Sequence, residues 1–428
     1  MKSISVCVIG AGTAGLAALK NSLEHQLNVV CYEQSKQIGG TWVYEDLSPN
    51  IEDECEIHSS MYQGLRTNLP KEVMGYLDFP YPESMADSFV SSHDVLSFLY
   101  LYAEHFDLQK HIKFQHEVIR VLPRTNGRWE VHVKNRLTGK CFVEMFDRIF
   151  VCNGHYTKPQ YPRIEGMEIY QGCSIHSHLY REPYKFEGED VLIIGAGPSG
   201  MDLTNQISKT AKRVFLSHHL KEAPRTDFMP RVTQKPDVQR FTESGAIFKD
   251  GSQETFSFVI FCTGYQYSFP FLSTDCGIFV ANNHVQPLYK HTININFPTM
   301  AIIGLPFMVL PTQCFDLQVR FVLKFFSNEQ KLPTQEEMMD ALHEDMQERK
   351  ERGLTERDAH KMGEKQWFVL FQFVYYQELS KIAGHNVKPV IAKIMKDCSK
   401  KYIFELETYR QYQFKVLDDE NFLKIHVK

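Results

Sequence analysis

The chain has 428 residues, enough for two or three domains around a large core. It is 43% apolar and 23% charged with a formal net charge of −5, which gives nucleic acid no basic footprint to bind. Its ten cysteines lie far apart, the nearest pair being Cys141 and Cys152, which argues against structural zinc and a redox-active dithiol, and reduced thiols are expected.

Val6 to Ile9 reads as a short apolar strand that runs straight into Gly10-Ala11-Gly12-Thr13-Ala14-Gly15. A helical pattern follows from Leu16 to Leu27. In G-x-G-x-x-G the first glycine permits a tight turn, the second admits a pyrophosphate to the backbone, and the third lets the helix pack on the strand. The pyrophosphate then meets free N–H groups at the helix N-terminus. The next strand, Asn28 to Tyr32, ends on Glu33-Gln34. An acid about 20 residues past the glycines binds a ribose diol and would repel a 2′-phosphate, so FAD or NAD is expected here.

Gly39-Gly40-Thr41-Trp42 offers a turn and an indole that can cover a ring system. His93 to Phe106 reads as a helix capped by Ser91 or Ser92. Ile119 to Leu122, Trp129 to Val133 and Cys141 to Met145 have strand composition. Asp147 to Gly154 is a strand that ends in a glycine turn.

The opening arrangement then recurs. Val191 to Ile194 runs into Gly195-Ala196-Gly197-Pro198-Ser199-Gly200. The following strand, Arg213 to Ser217, ends without an acid. Ser217, His218, His219 and Lys221 stand where Glu33 stands in the first unit, which suits a 2′-phosphate and favours NADPH over NADH. Phe256 to Gly264 has the same form as Asp147 to Gly154, so the two units resemble each other at both ends. This is an internal duplication, not a solenoid repeat.

Met300 to Gly304 is a further strand, and residues 334–360 form a charged helical stretch opened by a capping box, Thr334 with Glu337. Trp367 to Tyr376, interrupted by Gln372, reads as a buried helix that could also serve a subunit contact in a homo-oligomer. No stretch reaches the roughly 18 apolar residues a membrane span needs. No secretory pattern precedes the first strand, so a cytoplasmic protein is expected.

Three further motifs carry a family resemblance. Tyr170-Gln-Gly172-Cys-Ser-Ile-His176-Ser-His-Leu-Tyr180 resembles the F-x-G-x-x-x-H-x-x-x-Y fingerprint of flavin-containing monooxygenases, with Tyr for the first Phe. Phe261-Cys-Thr-Gly-Tyr265, followed by Phe269 to Leu272, is similar to that family's F-A-T-G-Y element. Tyr62 to Pro80 is similar to the segment carrying an Asn beside the flavin, here Asn68. The resemblance runs from Val6 to Phe321 and is strongest to insect members, among them the pyrrolizidine-alkaloid (senecionine-type) N-oxygenases.

The resemblance implies an α/β fold of two Rossmann-like domains, with an NADPH domain at 183–290 inserted into an FAD domain formed by 1–182 and 291–428. The active site is expected in the cleft between them. It also implies the chemistry. NADPH reduces FAD, O2 adds to give a flavin C4a-hydroperoxide, and a soft nucleophile takes the distal oxygen. The partners are thus a small amine, alkaloid or thioether and O2, with no nucleic acid. The cofactor carries the hard step while the protein supplies position and dryness.

The implied roles follow residue by residue. Gly10, Gly12, Thr13, Ala14 and Gly15 hold the FAD pyrophosphate. Glu33 and Gln34 hold its ribose end, and Gly40, Thr41, Trp42 and Thr67 line the flavin side. Val118 meets the adenine with its backbone, and Gln318 belongs to a helix start that reaches the flavin ring. Gly195, Gly197, Pro198, Ser199 and Gly200 hold NADPH, with Ser217 and His218 near the 2′-phosphate. Asn68 is the expected catalytic side chain, and His176 an expected hinge residue. The chain ends in Leu423-Lys-Ile-His-Val-Lys428 where vertebrate relatives carry a hydrophobic tail, so a soluble enzyme is expected.

Other classes fit less well. A Baeyer–Villiger monooxygenase has Trp where this fingerprint ends in Tyr180, then Arg181. A flavin disulfide reductase needs the missing cysteine pair. A non-catalytic NADPH or redox sensor would have no use for Asn68 and two complete glycine sets.

Overall fold

Two apolar strand series build two mainly parallel sheets in a computed structural model that describes residues 3–46, 57–220, 226, 228–363 and 370–427. β1 (Ser5–Ile9), α1 (Thr13–Glu24) and β2 (Asn28–Glu33) open the chain. α2 (Ser92–His105) is capped by Ser91, whose hydroxyl accepts from Asp94 N while the Asp94 carboxylate accepts from Ser91 N. β3 (Ile112–Phe114) follows, then an antiparallel meander of β4 (His116–Pro123), β5 (Trp129–Asn135) and β6 (Cys141–Phe146), then β7 (Arg148–Val151). The second series is β8 (Cys173–His176), β9 (Asp190–Ile194), α3 (Pro198–Ile207), β10 (Arg213–Ser217), β11 (Val232–Lys235) and β12 (Phe258–Phe261). β13 (Leu288–Tyr289), β14 (Ile293–Asn294) and β15 (Met300–Ile302) return to the first sheet. α4 (Pro311–Phe326), α5 (Gln335–Glu351), α6 (Leu370–Ala383), α7 (Pro389–Phe404) and a hairpin of β16 (Tyr412–Val416) and β17 (Phe422–His426) complete the fold.

The first sheet has the order β13-β14-β15-β7-β1-β2-β3, and the second β11-β10-β9-β12-β8. In each, the strand that leads into the glycines is flanked by two parallel neighbours. Such strands are covered on both faces, which is why they read as continuous apolar runs. Val6 and Val8 pack into one core, Cys7 and Ile9 into another on the opposite face.

The strands cross the domain limits drawn at 183 and 290. β8 lies before 183 yet pairs with β12, and β13 lies before 291 yet sits in the first sheet. Cys173–His176 is half polar and partly exposed, so no apolar run announces it. In α6, Tyr376 and the interrupting Gln372 are both buried, and the Gln372 side-chain oxygen accepts from Leu310 N at 2.9 Å; Trp367 to Val369 lie outside the described residues. Among the described residues no helix is long and apolar enough to cross a membrane.

α4 is fixed to α1 by a buried carboxylate. Asp316, 0% exposed, accepts from Asn21 Nδ2 at 2.8 Å, Leu77 N at 3.0 Å and Arg320 Nε at 3.1 Å. Asp316→Ala removes the acceptor that Asn21, Leu77 and Arg320 share and is expected to lose about 3–5 kcal/mol in urea unfolding. A loss below about 1 kcal/mol, the size of an exposed ion pair, would refute that role.

Candidate functional site at the two glycine turns

The two G-x-G-x-x-G turns fold alike, contact for contact. Gly10 N donates to Tyr32 O and Gly195 N to Ser217 O, each at 2.8 Å. Both glycines take positive φ, +98° and +107°, which other residues rarely adopt. A Cβ on Gly10 would lie 2.7 Å from the Cys152 carbonyl oxygen, and one on Gly195 2.5 Å from that of Cys262. A Cβ on Gly15 or Gly200 would lie 1.8 Å from the carbonyl oxygen of Gly10 or Gly195 respectively. The third glycine is therefore what lets each helix sit on its turn.

The middle glycines differ. Nothing lies within 4 Å of where a Gly197 Cβ would be, whereas a Cβ on Gly12 would meet Gly40 Cα at 3.5 Å. The Gly39-Gly40 backbone thus crosses the first turn, with Gly39 N donating to Ala11 O at 3.1 Å. Thr13 and Ala14 open α1, and Pro198 and Ser199 open α3. Neither helix has a side-chain cap or an acid in its first turn. Their N–H groups and dipoles are left for an anion.

Glu33 is 6% exposed, with Oε2 accepting from Ala11 N and Oε1 from Ser35 N, both at 2.7 Å. A carboxylate offers about four acceptor positions, so the ribose diol expected there still finds two. Gln34 follows half-buried. The Thr41 and Thr67 hydroxyls are buried without partners. Buried hydroxyls in proteins are normally bonded, so both fit a bound group. Trp42 packs partly buried against the main core. Val118 buries its side chain beside Tyr32, at a register shift between Val118 and Arg120. The Asn68 side chain makes no hydrogen bond among the described residues. Its carbonyl faces Cys398 Sγ at 3.9 Å.

Two expected residues have their polar side chains occupied. Gln318 lies wholly buried within α4, which begins at Pro311 where the resembling segment does. Its Oε1 accepts from Gly304 N at 3.0 Å and its Nε2 donates to Tyr375 OH at 2.8 Å, so both polar atoms hold the fold. Ser217 is 1% exposed and its hydroxyl donates to Pro236 O at 2.8 Å, which turns it away from a phosphate. His218 follows at the place that Glu33 holds in the first unit, half-buried, with Nε2 2.9 Å from Gln234 Oε1. Lys221 lies outside the described residues.

The junction of the units holds residues the sequence did not flag. Asp202 of α3 accepts from the Tyr62 hydroxyl and pairs with Arg410 at 2.8 Å. Arg181, 5% exposed, donates to the carbonyls of Glu45, Ser59, His178 and Tyr180. No local pattern marks these residues, because the partners that join the two units lie more than a hundred positions away. His176, fully buried at the end of β8, packs edge-on to Tyr161 and Tyr265. Burial, then the neighbouring His178, pushes its imidazole down to about 4. Among the described residues no group of His, Cys, Asp and Glu could hold a metal ion.

The flavin-binding monooxygenase-like family (FMO-like) matches residues 3–223 and 218–418. The chain belongs to this family. It is 34% identical over 427 residues to senecionine N-oxygenase of Tyria jacobaeae, covering 98% of this chain and 91% of that protein. It is also 34% identical to flavin-containing monooxygenase FMO GS-OX-like 6 of Arabidopsis thaliana, over 99% of this chain and 92% of that one. The structure of S-allyl-L-cysteine S-oxygenase from Allium sativum superposes with a TM-score of 0.89 at 30% identity, covering 96% and 95% of the two chains. This chain is therefore an oxygenase enzyme and a flavoprotein of the two-unit α/β fold, and the cofactor expectation of FAD with NADPH stands on the same kinship.

Buried His176 gives the junction a pH signature. The folded ring stays neutral down to about 4, whereas the unfolded chain takes that proton near 6.5. The unfolded state binds more protons between those values, so this contribution is complete above about 6.5 and is lost as pH falls towards 4. Thermal melts from neutral to acid pH should show Tm falling by several degrees through that window. His176→Gln should flatten the fall, and an unchanged slope in that variant would remove His176 from it.

Proposed function

We propose that this enzyme transfers one atom of O2 to the nitrogen or sulfur of small soft nucleophiles: tertiary amines, alkaloids of the pyrrolizidine type, or thioethers. FAD occupies the first glycine turn and NADPH the second. The observation that carries this assignment is the chemical difference between the matched strand ends of the twin turns. The first strand end presents a buried carboxylate, Glu33, and the matched place in the second presents His218. A carboxylate accepts from a ribose diol, and its absence admits a 2′-phosphate. The N-oxygenase and S-oxygenase named among the relatives support both acceptor atoms. The nine unpaired cysteines among the described residues suit the cytoplasm.

FAD, once reduced by NADPH, supplies the activated oxygen. The chain's own residues do the rest. Gly10, Gly12 and Gly15 seat one pyrophosphate on α1, and Gly195, Gly197 and Gly200 seat the other on α3. Thr41 and Thr67 offer free buried hydroxyls to the flavin side. Asn68 orients the reacting groups with an amide that can donate and accept at once. Tyr62, Tyr180 and Tyr265 close the junction with aromatic surface that excludes water.

Glu33→Arg puts a cation where two backbone N–H groups and a ribose need an acceptor, and it should purify without yellow colour. Full flavin retention there would overturn the assignment of the first turn. The deciding assay is NADPH-dependent oxygen uptake with peroxide quantified, across tertiary amines, pyrrolizidine alkaloids and thioethers. Wild type should form N-oxide or S-oxide with little peroxide. Asn68→Ala should keep its flavin and lose product by about 100-fold or more, the scale of one lost positioned donor. Peroxide as the sole product of wild type across that panel would sink the oxygenase reading for these substrates.

A further inference from the structure

We propose that Arg410 is a positioning residue that sets the Asn68 loop against the nucleotide-binding helix α3, and so fixes where NADP(H) lies relative to Asn68. The inference rests on the assignment of the second turn to NADPH. One guanidinium spans the two parts. Its Nη1 donates to Asp202 Oδ1 on α3 at 2.8 Å. Its Nε donates to Thr67 O at 3.1 Å and its Nη2 to Arg66 O at 3.1 Å, the two carbonyls that precede Asn68.

The surrounding contacts converge on the same helix. The second Asp202 oxygen accepts from Tyr62 OH, at the start of the Asn68 segment. Tyr62 packs edge-on to Tyr180 at 5.3 Å, and Tyr180 OH donates to Gln206 of α3 at 3.1 Å. Leu406 N donates to Thr226 Oγ1 at 3.0 Å, which holds the segment before Arg410 to the second unit. The guanidinium also lies over the Tyr409 ring at 5.0 Å.

The chemistry explains the choice of arginine. A planar fork reaches a carboxylate and two carbonyls at once, which a lysine ammonium cannot reproduce with the same geometry. Asp202 is 7% exposed, so loss of Arg410 leaves a buried carboxylate held by one tyrosine. Among the described residues, α3 and the Asn68 loop are then joined only through Tyr62, at the start of the segment. Arg410 is at neither glycine turn, so its effect reaches the reaction through Asp202 and through the Arg66 and Thr67 carbonyls.

The test uses the full-length, flavin-loaded enzyme with Arg410→Gln and Arg410→Lys. Flavin content, Tm, the Kd for NADP⁺ by flavin absorbance titration, and peroxide formed per NADPH are measured together. The expected result is flavin retained in both, Kd raised about tenfold or more in Arg410→Gln, a larger peroxide fraction, and partial rescue by Lys. A lowered Tm with Kd and peroxide fraction unchanged would reduce Arg410 to a staple of the fold and overturn the inference. If Arg410→Gln is recovered without flavin, Asp202→Asn decides by the same readouts. Wild type that fails to bind NADP⁺ would instead overturn the assignment of the second turn.

Discussion

A carbonyl oxygen lying directly beneath an α-carbon is the constraint on which this molecule rests. In each unit the first glycine's carbonyl sits where a Cβ on the third glycine would be, 1.8 Å away in both. That contact brings the helix N-terminus down over the end of its strand. From there the N–H groups face the space above the sheet. Strand order, the flanking cysteines Cys152 and Cys262, and the lack of side-chain caps all serve that one approach. Two units built on it leave two anion seats, and the remaining structure works to relate them.

That relation is made by buried polar groups as well as by a hydrophobic core that runs through both units. Arg181 gathers the carbonyls of Glu45, Ser59, His178 and Tyr180 beside the junction, and Asp202 takes a tyrosine hydroxyl and a guanidinium. A hydrogen-bonded junction has directional geometry, where an oily one would slide. It also carries a cost, since any partner removed leaves a charge in a place with little water. The same logic holds α4 on α1 through Asp316.

The sequence made the fold legible where the constraint is local. Each glycine set, the strand before it and the acid or its absence on the next strand can be read within thirty residues, and Ser91 with Asp94 and Thr334 with Glu337 cap their helices as their spacing implies. Short polar strands such as β8 were not legible, because their pairing partner supplies the stability that their own residues lack. In the site, the glycines, Glu33, Thr41 and Thr67 lie where a bound dinucleotide could use them. Gln318 and Ser217 share one feature that no motif announces: a neighbour on another segment, here Tyr375 or Pro236, takes up the polar side chain. Arg410 and Asp202 were invisible for the converse reason: no motif holds them, and their partners are far along the chain.

The position of Arg410 along the chain bears on how the enzyme is made. A polypeptide emerging from the ribosome has supplied every strand of both large sheets once Ile302 is out. The guanidinium that ties one unit to the other comes only after four more helices. Through that interval the strands of both units are in place, while α4, which packs on α1, and the Arg410 guanidinium are still to come. Both halves can take shape early, and the cleft between them is among the last features to be set.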